Sequence, residues 1–168
     1  GGPAYFIRNL VYHVPVGIAL KFMAKPAGLY VLHNTFIAEN ANSQIFSNAH
    51  FRNNLFMGTG VRGRPVAVFP FATSYSTSDF NGYHPNPGEN SFRWVAPSAG
   101  NLTDFSITIS KEGKSFSDLK SLSENTGLER NGIETDYDVF NNLQPPDPLQ
   151  PGLGQKPSTA DRWQPAQL

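Results

Sequence analysis

Cysteine is absent from the 168 residues, so the chain has no disulfide, zinc–thiolate site or thiol nucleophile. The compartment stays open, because many exported bacterial proteins also lack cysteine. Charge is sparse as well: 15% of residues are charged, and 13 basic side chains cancel 13 acidic ones. With no basic excess there is no electrostatic reason to expect nucleic acid or an anionic membrane surface as a partner. No apolar run approaches the roughly 18 residues of a membrane span. The opening Gly1-Gly2-Pro3-Ala4 carries neither the charged nor the apolar part of a signal peptide. A phosphate-cradling Gly-rich loop, a metal-spaced His pair and a Gly-x-Ser-x-Gly elbow are also missing, so nucleotide chemistry and serine hydrolysis find no support and no cofactor is evident.

What the chain does have is apolar material for a core, at 39% hydrophobic, in a length that fits one domain. Composition divides it into three stretches. Residues 1–96 are rich in Phe, Val, Leu, Ile, Tyr and Asn, in short apolar alternations punctuated by Gly, Pro and Asn, which predicts many short strands and little helix. Residues 97–142 are more polar and carry one helix candidate, Asp118 to Asn125. Ser115 or Ser117 is its expected N-cap, Leu119 and Leu122 its buried stripe, and Gly127 its stop. Residues 143–168, with Pro145, Pro146, Pro148, Pro151, Pro157 and Pro165, exclude ladders and helix alike and read as an extended tail without chemistry.

The strand-rich part repeats. Phe6-Ile7-Arg8-Asn9-Leu10-Val11-Tyr12, Val31-Leu32-His33-Asn34-Thr35-Phe36-Ile37 and Phe51-Arg52-Asn53-Asn54-Leu55-Phe56-Met57 align as an apolar residue, two variable ones, Asn, then a second short strand. Ser78-Asp79-Phe80-Asn81-Gly82-Tyr83 is a weaker fourth member. Asn9, Asn34, Asn54 and Asn81 stand 25, 20 and 27 residues apart, the range of solenoid periods. If each repeat is one turn of a parallel β-helix, Phe6, Val31 and Phe51 point inward and stack about 4.8 Å apart. The asparagines then mark a corner, where Asn tolerates left-handed backbone and its amide can bond to the equivalent residue of the next turn. A β-sandwich of short antiparallel strands is the rival fold. It predicts tight Asn-Gly or Asp-Gly hairpins, and links such as Ala38 to Gln44 and Gly58 to Arg64 are longer.

On these residues the chain resembles the right-handed parallel β-helix proteins of the pectate-lyase-like superfamily. The stretch Phe116 to Phe140, with Leu119, Thr126-Gly127 and Asp136 to Phe140, is similar to the short helical appendage behind the last coils in a bacterial subgroup. The likeness runs over most of residues 4–142. It implies an all-β protein: coils over 1–96, a capping or appendage segment with one short helix over 97–142, and the tail. It further implies an extracellular or periplasmic location and action on an acidic polysaccharide, as a polysaccharide lyase. Proteins of that subgroup carry more coils before this point and a closing segment after it, so the resemblance predicts a fragment. Three or four turns make a stub only about 15–20 Å long with open strand edges. The expected partner is the remainder of the same β-helix or another chain capping the coils. The alternative function is a non-catalytic surface, adhesin-like or structural scaffold.

In the resembling enzymes carbohydrate lies across the outer face of one parallel sheet. The alternation puts Tyr5, Tyr30 and His50 in one outward column and Ile7, Leu32 and Arg52 in the next, with Arg8, His33 and Asn53 before the corner. A lyase needs a cation to neutralise the uronate carboxylate and a base for the adjacent C–H. Arg52, His50, His33 and Lys21 are the catalytic candidates, although taken singly Arg52 and Lys21 also read as solvated outer residues and His50 and His33 as satisfied polar ones. A glycosidase would need clustered carboxylates, and the strand-rich part offers only Glu39, Asp79 and Glu89, well apart. Asp79 is a turn residue or a calcium ligand, and calcium is the one metal left open. Tyr30, Tyr83, His84 and Trp94 are candidates to stack on sugar rings, while Phe51, Phe56, Phe69 and Phe71 read as core. Arg62 and Arg64 flank Gly63 in a loop able to meet an anionic sugar, or merely solvated. Asn101-Leu102-Thr103 matches a glycosylation acceptor.

Overall fold

The computed structural model describes residues 2–18, 28–43, 49–69, 76–97 and 109–140. Lys21, Phe71, Asn101 and the tail 143–168 lie outside them. In chain order the elements are β1 (Ala4–Ile7), β2 (Leu10–Ile18), β3 (Leu29–Leu32), β4 (Thr35–Ser43), β5 (Ala49–Arg52), β6 (Leu55–Gly58), β7 (Ala67–Phe69), β8 (Thr77–Asp79) and β9 (Gly82–His84). They continue with β10 (Phe92–Pro97), β11 (Ile109–Phe116), α1 (Leu119–Thr126), β12 (Ile133–Glu134) and a closing 3-10 turn, Tyr137–Val139. The described protein is therefore mostly β-sheet with one α-helix.

Strands pair in parallel everywhere except β10 with β11. One sheet runs β1-β3-β5-β8; the other runs β11-β10-β7-β4-β6-β9-β12, with β2 also on β4. Repeats lie in register: Phe6 faces Val31, Val31 faces Phe51, and Phe51 faces Ser78. The inward alternation read from sequence holds here, with Val31 and Phe51 fully buried. Two residues beyond each corner asparagine, Phe36, Phe56 and Tyr83 form a second inward column whose rings stack at 5.4 and 5.3 Å. Burying each such ring contributes about 2–3 kcal/mol. Both sheets share this core, since Leu29, Val31 and Phe51 of one pack with Phe56, Phe69 and Phe92 of the other.

The corners differ from expectation in one respect. The left-handed residue is not the asparagine but the one before it: Arg8, His33, Asn53 and Phe80 have φ between 55° and 59°. Such angles cost about 1–2 kcal/mol for residues other than Gly. The cost is offset by the asparagine that follows, whose amide and backbone are then aimed along the stack. Asn34 N–H donates to Asn54 Oδ1 at 2.9 Å and Asn54 N–H to Asn81 Oδ1 at 2.9 Å. Asn54 Nδ2 also donates to Val31 O at 2.8 Å, taking up a carbonyl of the preceding strand.

Two further expectations need correction. Ala38 to Ser43, read as a link, continues β4, whose start pairs with β6 and whose end pairs with β7. The next repeats interrupt this path with irregular segments, 59–66 and 85–91, that bond to each other: Gly63 N–H to Pro87 O at 3.0 Å and Val66 N–H to Ser91 O at 2.8 Å. The helix is capped by Asp118 rather than Ser115 or Ser117; its Oδ1 accepts from Ser121 N–H at 2.8 Å. Ser115 lies in β11, and Ser117 donates to Asp118 instead. Leu119 and Leu122 are buried and Gly127 ends the helix at φ 74°, as the sequence predicts.

Candidate functional site

The outer face of β1-β3-β5-β8 gathers the sequence-predicted residues. Register places Tyr5, Tyr30, His50 and Thr77 in one column. Ile7, Leu32, Arg52 and Asp79 form the next. The Tyr5 and Tyr30 rings stack at 5.0 Å, and those of Tyr30 and His50 at 5.0 Å. Residues two apart on a strand share a face, so His50 and Arg52 emerge side by side from β5.

Electrostatics at this face follow from burial and neighbours. Partial burial, then the Arg52 charge, hold the His50 imidazole below its ordinary value. His50 Nδ1 lies 3.0 Å from Thr77 Oγ1. The Arg52 guanidinium sits 5.4 Å from the centre of the Phe80 ring, a cation–π distance. Burial tends to raise the Asp79 carboxyl, but N–H groups of Asn131 and Phe80, with Arg52, hold it below the usual carboxylate range. Its Oδ1 accepts from Asn131 N–H at 2.7 Å and its Oδ2 from Asn131 Nδ2 at 2.8 Å. These bonds tie β8 to the segment ahead of β12. Among the described residues no group of three or more His, Asp or Glu is placed to hold a metal ion.

The other candidates stand elsewhere. His33 is exposed at its corner, on the left-handed residue between the Arg8 and Asn53 positions. Arg62 and Arg64 are exposed on the 59–66 segment, which links strands of the other sheet, so they do not join His50 and Arg52 on one face. Tyr83 is fully buried, which rules out stacking on a sugar. Trp94 is half-buried and packs against the core. His84 is part-buried, with Nδ1 3.1 Å from Thr135 O and its ring edge-on to Tyr137 at 4.9 Å.

Glu129 is what the sequence reading missed. It is 2% exposed and receives Asn81 Nδ2 at 2.8 Å, Tyr83 OH at 2.8 Å and the Ser78 hydroxyl, all on Oε1. Burial pushes this carboxyl up, while those donors oppose the rise. Glu129 therefore stands where the ladder's next asparagine would, accepting what Asn81 has to donate. Register puts Gly132 at the corner itself, since Ile133 N–H donates to Asn81 O as Gly82 N–H donates to Asn54 O, and the amide of the neighbouring Asn131 goes to Asp79. Asn86, at 1% exposed, was missed too. Its Oδ1 accepts from Gly60 N–H at 2.9 Å, and its Nδ2 donates to Glu39 O at 2.7 Å and Arg64 O at 3.1 Å, locking the two irregular segments onto β4.

Among the described residues no helix is long and apolar enough to cross a membrane. The chain matches no protein-family model, no curated protein and no solved structure.

Proposed function

We propose that this chain is a segment of a right-handed parallel β-helix from an exported protein that binds an acidic polysaccharide across the outer face of β1-β3-β5-β8. The observation that carries the reading is the stacked Tyr5–Tyr30–His50 column running beside Arg52. Stacked rings offer apolar edges and faces to pyranose rings, and a guanidinium grips a carboxylate. The same pair of residues suits β-elimination. Arg52 neutralises the uronate carboxylate and so acidifies the neighbouring C–H. His50, kept neutral by burial and by Arg52, takes that proton as the double bond forms and the glycosidic oxygen leaves, protonated by water.

The test is retention and turnover on a panel of acidic and neutral polysaccharides, with product read from the ultraviolet absorbance of unsaturated uronides. Arg52→Ala is expected to weaken retention on acidic glycans by at least about tenfold, the loss of a charge-assisted contact. His50→Ala is expected to abolish product while a fraction of binding survives. No retention of the parent chain on any glycan sinks the proposal.

A structural scaffold is the second reading, and a specific observation favours it. His50 is bonded to Thr77, Arg52 lies over Phe80, and Asp79 is held by Asn131, so each outer residue also links its repeat to the next.

A further inference from the structure

The stack ends differently at its two extremes. At one, Asn81 meets Glu129, the Glu129 N–H donates to Ser78 O at 2.8 Å, and β12 pairs with β9. At the other, among the described residues, β1 has a partner strand only in β3 and β2 only in β4. The ladder between them has a direction, set by backbone donors whose identity is unambiguous. Asn9 N–H donates to Asn34 Oδ1, Asn34 N–H to Asn54 Oδ1 and Asn54 N–H to Asn81 Oδ1, each at 2.9 Å. Each side-chain amide follows its own N–H onto the same oxygen, at 2.9, 3.0 and 2.9 Å. Every one of these acceptors thus receives two donors from the repeat before it. Asn9 Oδ1 is the ladder oxygen that receives none among the described residues, although Asn9 Nδ2 also donates to Ile7 O. Beside it, Tyr5 and Ile7 head the two outer columns at 60% and 47% exposed.

We propose that the β1–β2 edge is an interaction surface for one more strand–asparagine–strand segment. It would lie parallel to β1 and β2, its corner asparagine donating backbone N–H and side-chain amide to Asn9 Oδ1. The proposal rests on the β-helix reading and adds to it a specific edge, polarity and acceptor. A second copy of this chain does not fit. Two such edges meeting about a twofold axis run antiparallel and set acceptor against acceptor. Head-to-tail contact fares no better, because the matching donors, on Asn81, are already taken by Glu129. The occupant is a partner segment whose corner donors are unspent.

The experiment adds a copy of residues 4–28 directly ahead of Ala4 in the full chain, which sets its corner asparagine one 25-residue period before Asn9. A second version carries Asn9→Ala in the added copy only, and thermal melting is followed by circular dichroism. The asparagine version is expected to melt above the parent, and the alanine version to lose about 2–4 °C of that gain, the worth of one hydrogen bond in a chain this size. An asparagine version that fails to fold, melts no later than the parent, or melts with its alanine counterpart overturns the proposal. So does a parent that sediments as a dimer which the extension dissociates, since the occupant is then a second copy. Asn54→Ala in the unextended chain separates the two levels. If it leaves melting unchanged, the ladder and the β-helix reading fall together. If it lowers melting while the two extensions stay alike, the edge proposal alone falls.

Discussion

Two ladders run along this molecule in opposite surroundings. Asn34, Asn54 and Asn81 repeat along a buried corner, each 1% exposed, while Tyr5, Tyr30 and His50 repeat along an outer face. Both follow the same strand register, yet they do different physical work. At the corner, each amide must satisfy groups that water cannot reach, so the side chain is specified by chemistry as well as size. On the outer face, a ring needs only a flat neighbour, and its exposed edge faces solvent. Stability should therefore reside in the first ladder, and under the proposed function recognition belongs to the second.

The largest expected effect tests that division at the buried corner. Asn54→Ala removes the acceptor for Asn34 and the donor to Val31 O and Asn81, and should lower the unfolding free energy by about 3 kcal/mol. Asn9→Ala, at the exposed end of the same ladder, should cost about 1 kcal/mol or less. Chemical denaturation of the two variants side by side measures both, and equal losses would break the contrast.

Next comes the second asparagine lock. A Cβ on Gly58 would stand 2.5 Å from Asn86 Oδ1 and 2.9 Å from His84 O, so Gly58→Ala should destabilise by about 2 kcal/mol through forced displacement. Melting within a degree of the parent would show that Asn86 is not held as tightly as its hydrogen bonds imply.

The end of the ladder should respond to pH. Glu129 has its folded value raised above 4.5, by burial first. The stability linked to it is fully present below 4.5 and is lost as pH rises through the folded value. Asp79 runs the other way: its folded value is held below 3.8, so its contribution is present above 3.8 and lost in acid. Glu129→Gln carries no titrating proton, so the parent should lose ground to this variant as pH climbs from 4.5. Denaturation of both across that window checks the sign, and parallel curves would place the Glu129 proton elsewhere.

The smallest effect on stability belongs to the outer column. Tyr30→Ala should cost about 1 kcal/mol or less, while retention on an acidic polysaccharide should fall severalfold. A variant that loses stability but keeps its retention would assign the column to the scaffold role.

Much of this was legible in the chain. Period-two alternation marked Val31 and Phe51 as inward and Tyr30, His50 and Arg52 as outward, because the two faces of a strand see different solvents. Repeated spacing marked the four corner asparagines, since register is inherited from turn to turn. The same alignment also contained the answer for Tyr83: it follows Asn81 by two, as Phe36 follows Asn34 and Phe56 follows Asn54, although its Gly- and Pro-rich surroundings argued for the surface. Left to tertiary structure were the features that depend on distant partners. Glu129 reaches Asn81 across 48 residues and Tyr83 across 46, and Asn86 reaches Glu39 across 47. No local pattern encodes such pairs, because what selects them is the unspent hydrogen-bonding capacity of a group already buried by other residues. By itself, the sequence determined the in-and-out alternation of the aligned repeats and the four asparagine corners, all of which are local. Only the folded molecule decided where the ladder stops, since that requires a carboxylate from elsewhere in the chain to meet the last asparagine away from water.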